Sequence, residues 1–179
     1  MRLAAIILLV ISFDAAATGE KFNIRTAPVS DLIGIYNAEL DYKISDSFTV
    51  GPTLHSFNYT RDNTKYSNLL LGGRVNYYFG TALEGGWLAS LSAGYGSFDV
   101  SRESGGLVYS TSSAMRIYTA LFSYQAMWDS FNLTFGVGGS YFAFPETVSG
   151  INGVDVLTIS TSFLSGFLPN AELSVGWRF

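Results

Sequence analysis

Apolar and polar residues alternate along most of this chain with the two-residue period of a β-strand. The pattern is cleanest from Asn170 to Phe179, where every odd-numbered residue is apolar and every even-numbered residue is polar or glycine. Seven earlier segments show the same two-faced pattern, so each is predicted to form one strand. The eight predicted strands are residues 21–27, 32–44, 48–58, 66–79, 87–98, 115–128, 131–142 and 170–179.

The lengths of these segments and of their connections predict a membrane barrel. Six of the eight segments contain 11–14 residues, above the roughly 5–6 of a soluble strand and close to the roughly 9–11 of a tilted membrane strand. Outer-membrane barrels place short turns in the periplasm and long loops outside. Short turns are predicted at 45–47, 80–86 and 129–130. They alternate along the chain with the predicted outer loops at 28–31, 59–65, 99–114 and 143–169. The predicted fold is therefore all-β, a transmembrane, eight-stranded, antiparallel up-and-down β-barrel.

The last connection, 143–169, leaves two alternatives open. Leu157, Ile159, Phe163 and Phe167 keep the outward phase of the final strand, so the segment can lengthen that strand above the membrane. Val156, Ile159, Phe163 and Phe167 also fit one stripe of a helix, so the segment can instead form a lid. An additional membrane strand here is disfavoured, because it would break the even strand number of such barrels.

The amino-terminal segment predicts export. Met1 and Arg2 precede an apolar run from Leu3 to Phe13, and Ala15–Ala17 provides small residues for cleavage. The run is shorter than the roughly 20 residues of a transmembrane helix and fits the apolar region of a secretory signal peptide. We therefore predict that residues 1–17 are a cleaved signal peptide and that residues 18–179 form the barrel domain.

The composition agrees with a lipid-facing surface. Charged residues make up 13% of the chain and aromatic residues 16%, whereas soluble proteins contain about 25% charged residues. Mean hydropathy is +0.26, which alternating strands facing lipid explain. The chain contains no cysteine, so disulfides and a lipidated cysteine are excluded. A net charge of −4 argues against a nucleic-acid partner, which would require a basic surface.

Aromatic residues gather beside the predicted short turns, where a periplasmic girdle would lie. An ordinary β-sandwich core would not concentrate them at one end. The predicted girdle comprises Tyr42, Phe48, Tyr77, Phe79, Trp87, Tyr124, Trp128, Phe131, Trp177 and Phe179.

With its signal peptide, eight alternating strands and terminal Val175–Phe179, the chain resembles the small bacterial outer-membrane barrels of the OmpA, OmpX and OmpW kind. The resemblance implies Sec-type export to the outer membrane of a Gram-negative bacterium, contact with outer-membrane lipid and lipopolysaccharide, and insertion by the barrel assembly machinery through the C-terminal strand. This class includes adhesion and integrity proteins, channels for small hydrophobic compounds and lipid A modifying enzymes.

Charged residues occupy the inward positions of several predicted strands. Opposite charges in a narrow, dry lumen are expected to pair, because an unpaired buried charge is costly. The favoured interpretation is a structural plug, since side chains just fill an eight-stranded interior; the alternative is a gated ion path. The predicted lumen charge network comprises Arg25, Glu39, Asp41, Lys43, Arg74, Glu172 and Arg178.

Toward the outer end, the inward positions become apolar. Such a cup could take a hydrophobic ligand, or its residues could simply pack beneath the long last connection. The predicted cup comprises Phe57, Leu70, Phe98, Ile117, Leu121 and Phe142.

Catalytic and metal chemistry find little support in the sequence. His55 is the single histidine, which makes a zinc site improbable. Ser56 lies on the opposite face of its strand, so the two cannot form a Ser-His pair on one wall. Lipid A deacylases carry His and Ser two residues apart, whereas Phe57 occupies that position here. No catalytic residue, metal ligand or cofactor is therefore predicted.

Three functions follow, in decreasing order of support. The first is a non-enzymatic outer-membrane barrel with a charged, plugged lumen and a structural or interaction role through its outer loops. The second is binding or transport of small hydrophobic molecules through the apolar upper lumen. The third, which is disfavoured, is a lipid A modifying enzyme. Ligand, conduction, physiological role and oligomeric state stay open at this point.

Overall fold

A computed structural model describes residues 20–28, 34–61, 63–104, 107–144, 147–152, 155–160 and 165–179. The predicted signal peptide, residues 1–17, lies outside the described residues. So does most of the predicted first outer loop, 28–31.

The described residues form ten strands in chain order. Most of them coincide with a segment of alternating apolar and polar residues, a pattern that suits a pleated sheet with two different faces. The strands are β1 (Phe22–Thr26), β2 (Ile35–Lys43), β3 (Phe48–Arg61), β4 (Thr64–Tyr78), β5 (Gly86–Ser104), β6 (Leu107–Trp128), β7 (Phe131–Ala143), β8 (Thr147–Asn152), β9 (Asp155–Ser160) and β10 (Gly166–Arg178).

Eight of these strands close into an antiparallel ring. Consecutive strands pair from β1 through β7, β7 pairs with β10, and β10 pairs with β1. At the closure, Ile24 lies opposite Trp177 on one side and opposite Leu40 on the other. The predicted eight-stranded antiparallel barrel is confirmed, including the short first strand.

Two predicted outer loops are wrong, because the strands continue through them. β3 and β4 extend to Arg61 and Thr64, and the turn between them contains Asn63 in the left-handed region, at φ 58°. β5 and β6 run on through most of 99–114, pairing as far as Ser104 opposite Leu107. Serine-rich composition suggested a loop there, but the alternation of buried and exposed positions persists and carries the hairpin beyond the barrel wall.

The described part of 143–169 contains a hairpin in addition to a longer last strand. β10 begins at Gly166, earlier than the predicted Asn170, which agrees with the lengthened-strand alternative. β8 and β9 pair with each other, and Ile151 of β8 lies opposite Ser110 in the outer extension of β6. The predicted helical stripe is wrong at Val156 and Ile159, because both belong to strand β9, and Phe163 lies outside the described residues.

An apolar belt surrounds the outside of the barrel. On β5, the outward residues are apolar from Trp87 to Tyr95, with Leu91 68% exposed between them, and they become polar at Ser97 and Asp99. With the usual rise and tilt of barrel strands, these nine residues span on the order of 20 Å along the barrel axis. Because such a continuous apolar surface belongs in lipid, the barrel spans a membrane with its strands. Among the described residues, no helix is long and apolar enough to cross a membrane.

Aromatic rings line the short-turn end of this belt, where the sequence predicts a girdle. Phe22 stacks on Phe179 with ring centroids 5.9 Å apart, and Trp87 meets Tyr124 edge to face at 5.2 Å. Further ring contacts at this end join Phe48 to Tyr77, Tyr77 to Phe79, and Trp128 to Phe131.

Candidate functional site in the barrel lumen

Five charged side chains from four strands meet in the lumen and form a layer across it. Strand alternation points each of them inward: Arg25 on β1, Glu39 and Asp41 on β2, Arg74 on β4 and Glu172 on β10. We call this group the ion-paired layer. Gly176 of β10 provides room for it, because a Cβ there would lie 2.7 Å from Cγ of Arg25.

Arg25 binds all three carboxylates of the layer and is 0% exposed. Its Nε lies 2.9 Å from Asp41 Oδ2, its Nη2 lies 2.9 Å from Glu39 Oε2, and its Nη1 lies 3.1 Å from Glu172 Oε1. Asp41 also accepts from the amide of Asn76 at 2.8 Å. Removing Arg25 would therefore leave several buried negative charges uncompensated.

Arg74, from another wall of the barrel, binds two of these carboxylates, Glu39 and Glu172. Its Nη1 donates to Glu39 Oε2 at 2.9 Å and its Nη2 to Glu172 Oε2 at 2.8 Å. The remaining donors bind Asn76 Oδ1 at 2.8 Å and Ser90 Oγ at 2.9 Å. The three carboxylates and two guanidinium groups of the layer have a combined charge of −1 when all are ionised.

A second, uncharged group of polar side chains lies between the layer and the short turns. Asn132 donates to Asn23 at 2.7 Å, Asn23 donates to Asp41 at 3.2 Å, and Gln125 donates to Asn132 at 3.1 Å. Each amide is buried, and each sits at an inward position that alternation alone identifies. Sequence reasoning left Asn23 out of the predicted network, although its inward phase and polar side chain were a usable signal.

The turn between β4 and β5 closes the lumen at its short-turn end. Ala82 and Leu83 belong to this turn yet are only 1% exposed, and they pack with Tyr78 and Leu88. The backbone N–H of Ala82 donates to Asp46 O at 2.6 Å, which ties the turn to the neighbouring one. We call these four packed residues the periplasmic cap, after the side on which the predicted topology places them. Sequence reasoning missed the cap, and two apolar residues within a glycine-rich turn were the only signal.

Two predicted members of the charge network lie elsewhere. Arg178 binds the cap and the adjacent turn, donating to Leu83 O at 2.7 Å and to Asp129 O at 3.2 Å, and it also contacts the carboxylate of Glu20. Lys43 is half-buried near the β2–β3 turn and takes part in none of the ion pairs resolved among the described residues. Both residues point inward as predicted, but they lie too close to the barrel end to reach the layer.

A cavity of about 660 Å³ lies on the outer side of the ion-paired layer. Glu39, Arg74 and Glu172 form its floor. Five residues of the predicted apolar cup line its wall, namely Phe57, Leu70, Ile117, Leu121 and Phe142.

Phe98, the sixth predicted cup residue, does not line this cavity. It is 1% exposed and packs against Leu70, Val100 and Met115. Its ring meets Phe144 edge to face, with centroids 4.9 Å apart. Phe98 therefore supports the wall, because the outer extension of β5 and β6 continues the hydrophobic core past the predicted strand ends.

The lone histidine, His55, and its neighbour Ser56 both line the cavity. The hydroxyl of Ser56 donates to the backbone oxygen of Asn68 at 2.9 Å. Among the residues that the structure describes, no group of three or more His, Cys, Asp or Glu could hold a metal ion.

The chain belongs to the family described as a protein of unknown function, DUF3575, whose model matches residues 3–141. That match covers the described strands from β1 through most of β7. No curated protein matches the chain significantly.

Two solved structures are similar to this chain in fold. One is the N-terminal β-barrel domain of OprF from Pseudomonas aeruginosa, with 17% identity and a TM-score of 0.49, covering 90% of this chain and 100% of that one. The other is Neisserial surface protein A (NspA), with 18% identity and a TM-score of 0.48, covering 90% of this chain and 98% of that one.

Proposed function

We propose that this protein is a non-conducting barrel of the Gram-negative outer membrane, sealed by its ion-paired layer and periplasmic cap. The observation that carries the proposal is the convergence of Arg25 and Arg74 on shared carboxylates from different walls of the lumen. A side chain that bridges walls in this way occupies the centre of the lumen, where ions would have to pass. The cap then closes the periplasmic end a second time.

A lumen that is sealed to ions leaves the exterior of the barrel and its outer loops as the surfaces available for a structural or interaction role. The apolar belt is suited to contact with outer-membrane lipid, and the polar β5–β6 extension is suited to the lipopolysaccharide region above it. The C-terminal strand β10 completes the ring by pairing with β1, which suits insertion by the barrel assembly machinery.

Conductance across a planar lipid bilayer tests the seal. The purified protein is expected to add no ion conductance, whereas an open trimeric porin inserted under the same conditions provides the positive control. Arg74→Ser with Glu172→Ser, which removes one positive and one negative charge from the layer, combined with Leu83→Gly in the cap, is expected to produce measurable current. Steady conductance by the wild-type protein would contradict the proposal.

A second function is favoured by one specific observation, the cavity of about 660 Å³ with five residues of the predicted apolar cup in its wall. Ligand pockets of roughly 300–1,000 Å³ with predominantly apolar linings bind small molecules. We propose that this cavity binds a small, partly apolar molecule from the outer side. A role in modifying lipid A is not proposed, because the hydroxyl of Ser56 is engaged by the backbone oxygen of Asn68.

Filling the cavity tests the second function. Leu121→Trp adds an indole to the cavity wall, whereas Leu91→Trp makes the same change on the lipid-facing surface. Binding of 4-phenylbutanol, measured by calorimetry in lipid nanodiscs with empty nanodiscs as the blank, should be lost in the first variant and kept in the second. Equal binding by both variants would contradict a site in the lumen.

A further inference from the structure

The floor of the cavity is charged and its outer wall is apolar. Glu39, Arg74 and Glu172 line the floor, whereas Phe57 and Phe142 line the wall toward the outer end. A ligand that satisfies both ends must carry a polar group at one end and an apolar body at the other. Its polar group would lie deepest in the lumen, against the ion-paired layer.

The charge of the floor distinguishes among polar groups. The layer holds three carboxylates against two guanidinium groups, an excess of one negative charge. Of its two arginines, only Arg74 lines the cavity, and its donors already bind Glu39, Glu172, Asn76 and Ser90. An anionic ligand would therefore add to the negative excess without gaining a free guanidinium donor.

One carboxylate of the floor still has capacity to accept a hydrogen bond. Among the described contacts, Glu39 Oε1 accepts one donor, Arg74 Nη1 at 3.0 Å, and a carboxylate oxygen can accept two. Both oxygens of Glu172 already accept at least two donors, from Arg25, Arg74, Ser123 and Ser174. Glu39, which is 8% exposed, is therefore the acceptor that a group entering from the cavity reaches.

We propose that the cavity selects amphiphiles whose polar end is a cation, a primary ammonium, held by Glu39 and neutralising the excess charge of the floor. This inference rests on the proposed binding function of the cavity and adds the ligand class. The polar middle of the wall suits the ammonium's remaining donors: Ser140 hydroxyl oxygen lies 2.8 Å from that of Thr119 and 2.9 Å from Nδ2 of Asn170, and all three residues line the cavity.

Three probes of matched shape test the proposal: 4-phenylbutylamine, 4-phenylbutanol and 4-phenylbutyrate, which are cationic, neutral and anionic. Binding to the protein in uncharged lipid nanodiscs is measured by calorimetry at pH 8, where an imidazole such as that of His55 is mostly neutral. The amine is expected to bind at least tenfold more tightly than the carboxylate, with the alcohol between them.

Substitutions locate the preference within the lumen. Glu172→Gln should reduce the amine's advantage over the alcohol, as should Glu39→Gln, while binding of the alcohol is kept. Asp99→Asn removes the same charge from the outer face of β5 and should leave the preference unchanged. The SDS-PAGE mobility shift of the folded barrel on heating shows that each variant is folded.

The possible results distinguish the cation preference from the proposed binding function of the cavity. Equal binding of all three probes, or tighter binding of the carboxylate, would overturn the cation preference and keep the cavity as a binding site. Binding of none of them would overturn the binding function together with the preference. A cation preference that persists in Glu39→Gln would overturn the assignment of Glu39.

Discussion

Arg178 Nη1 donates a 2.7 Å hydrogen bond to the backbone oxygen of Leu83, which joins the last strand to the turn that closes the lumen. Leu83 adopts a left-handed conformation, at φ 68°, which bulky residues rarely adopt. The guanidinium thus stabilises a turn whose backbone conformation at Leu83 is unfavourable. Through this bond the end of β10 contacts the turn between β4 and β5, on the opposite side of the barrel.

Replacing Arg178 is expected to loosen the periplasmic cap. Arg178→Ala removes the donors to Leu83 O and Asp129 O, and hydrogen bonds from a charged donor contribute roughly 1.5–3 kcal/mol. Amide exchange across 79–85, followed by mass spectrometry, should become faster by at least tenfold. Lys43→Ala removes a charge at the same end without a bond to the cap and should leave this exchange unchanged. Unaltered exchange in Arg178→Ala would show that Arg178 does not stabilise the cap.

Replacing Arg25 is expected to destabilise the whole barrel. Arg25→Ala leaves Glu39, Asp41 and Glu172 with Arg74 alone, and breaking a buried ion pair from one side costs roughly 3–5 kcal/mol. Urea-induced unfolding in lipid vesicles should show this loss of unfolding free energy.

The matched control is Arg116, an exposed arginine on β6. Arg116→Ala should change the free energy of unfolding by less than about 0.5 kcal/mol. If the two variants unfold at the same urea concentration, the ion-paired layer does not stabilise the fold.

A charge in the middle of the apolar belt is expected to impair insertion. Leu91 is 68% exposed on the outside of β5, and a lysine near the bilayer midplane costs roughly 2–4 kcal/mol. Leu91→Lys should lower both the yield of folding into vesicles and the stability reached. Ser112→Lys, on the polar outer extension of β6, should fold like the wild type. If the two variants fold equally well, Leu91 does not lie in the hydrocarbon region of the membrane.

Strand glycines differ in what an added methyl group would meet. A Cβ at Gly96 would overlap the Leu69 backbone, with the carbonyl carbon of Leu69 2.8 Å away. At Gly73 the closest atom would be Gly51 O at 3.8 Å. Gly96→Ala is therefore expected to cost roughly 1–3 kcal/mol through overpacking, and Gly73→Ala little. Unfolding free energies measured side by side check this, and equal losses would contradict the crowding at Gly96.

Much of the barrel could be predicted because alternation assigns each residue to a face without knowledge of its neighbours. Arg25, Glu39, Arg74 and Glu172 were placed in the lumen on this basis, and the structure brings them together. The strand ends were harder to predict. Serine and glycine in 99–114 indicated a loop, yet pairing with a neighbouring strand and burial of Val100 and Met115 keep the segment extended.

The eight-stranded fold and the inward or outward direction of most side chains can be derived from the amino-acid sequence, because both follow from a local two-residue period. Which inward charges meet depends on how the strands are arranged in three dimensions. Arg25 and Glu172 are 147 positions apart in the chain and bond because β1 and β10 close the ring. That arrangement likewise decides that Arg178 binds the cap, since height along the barrel depends on strand register and on how the β4–β5 turn folds beneath the lumen.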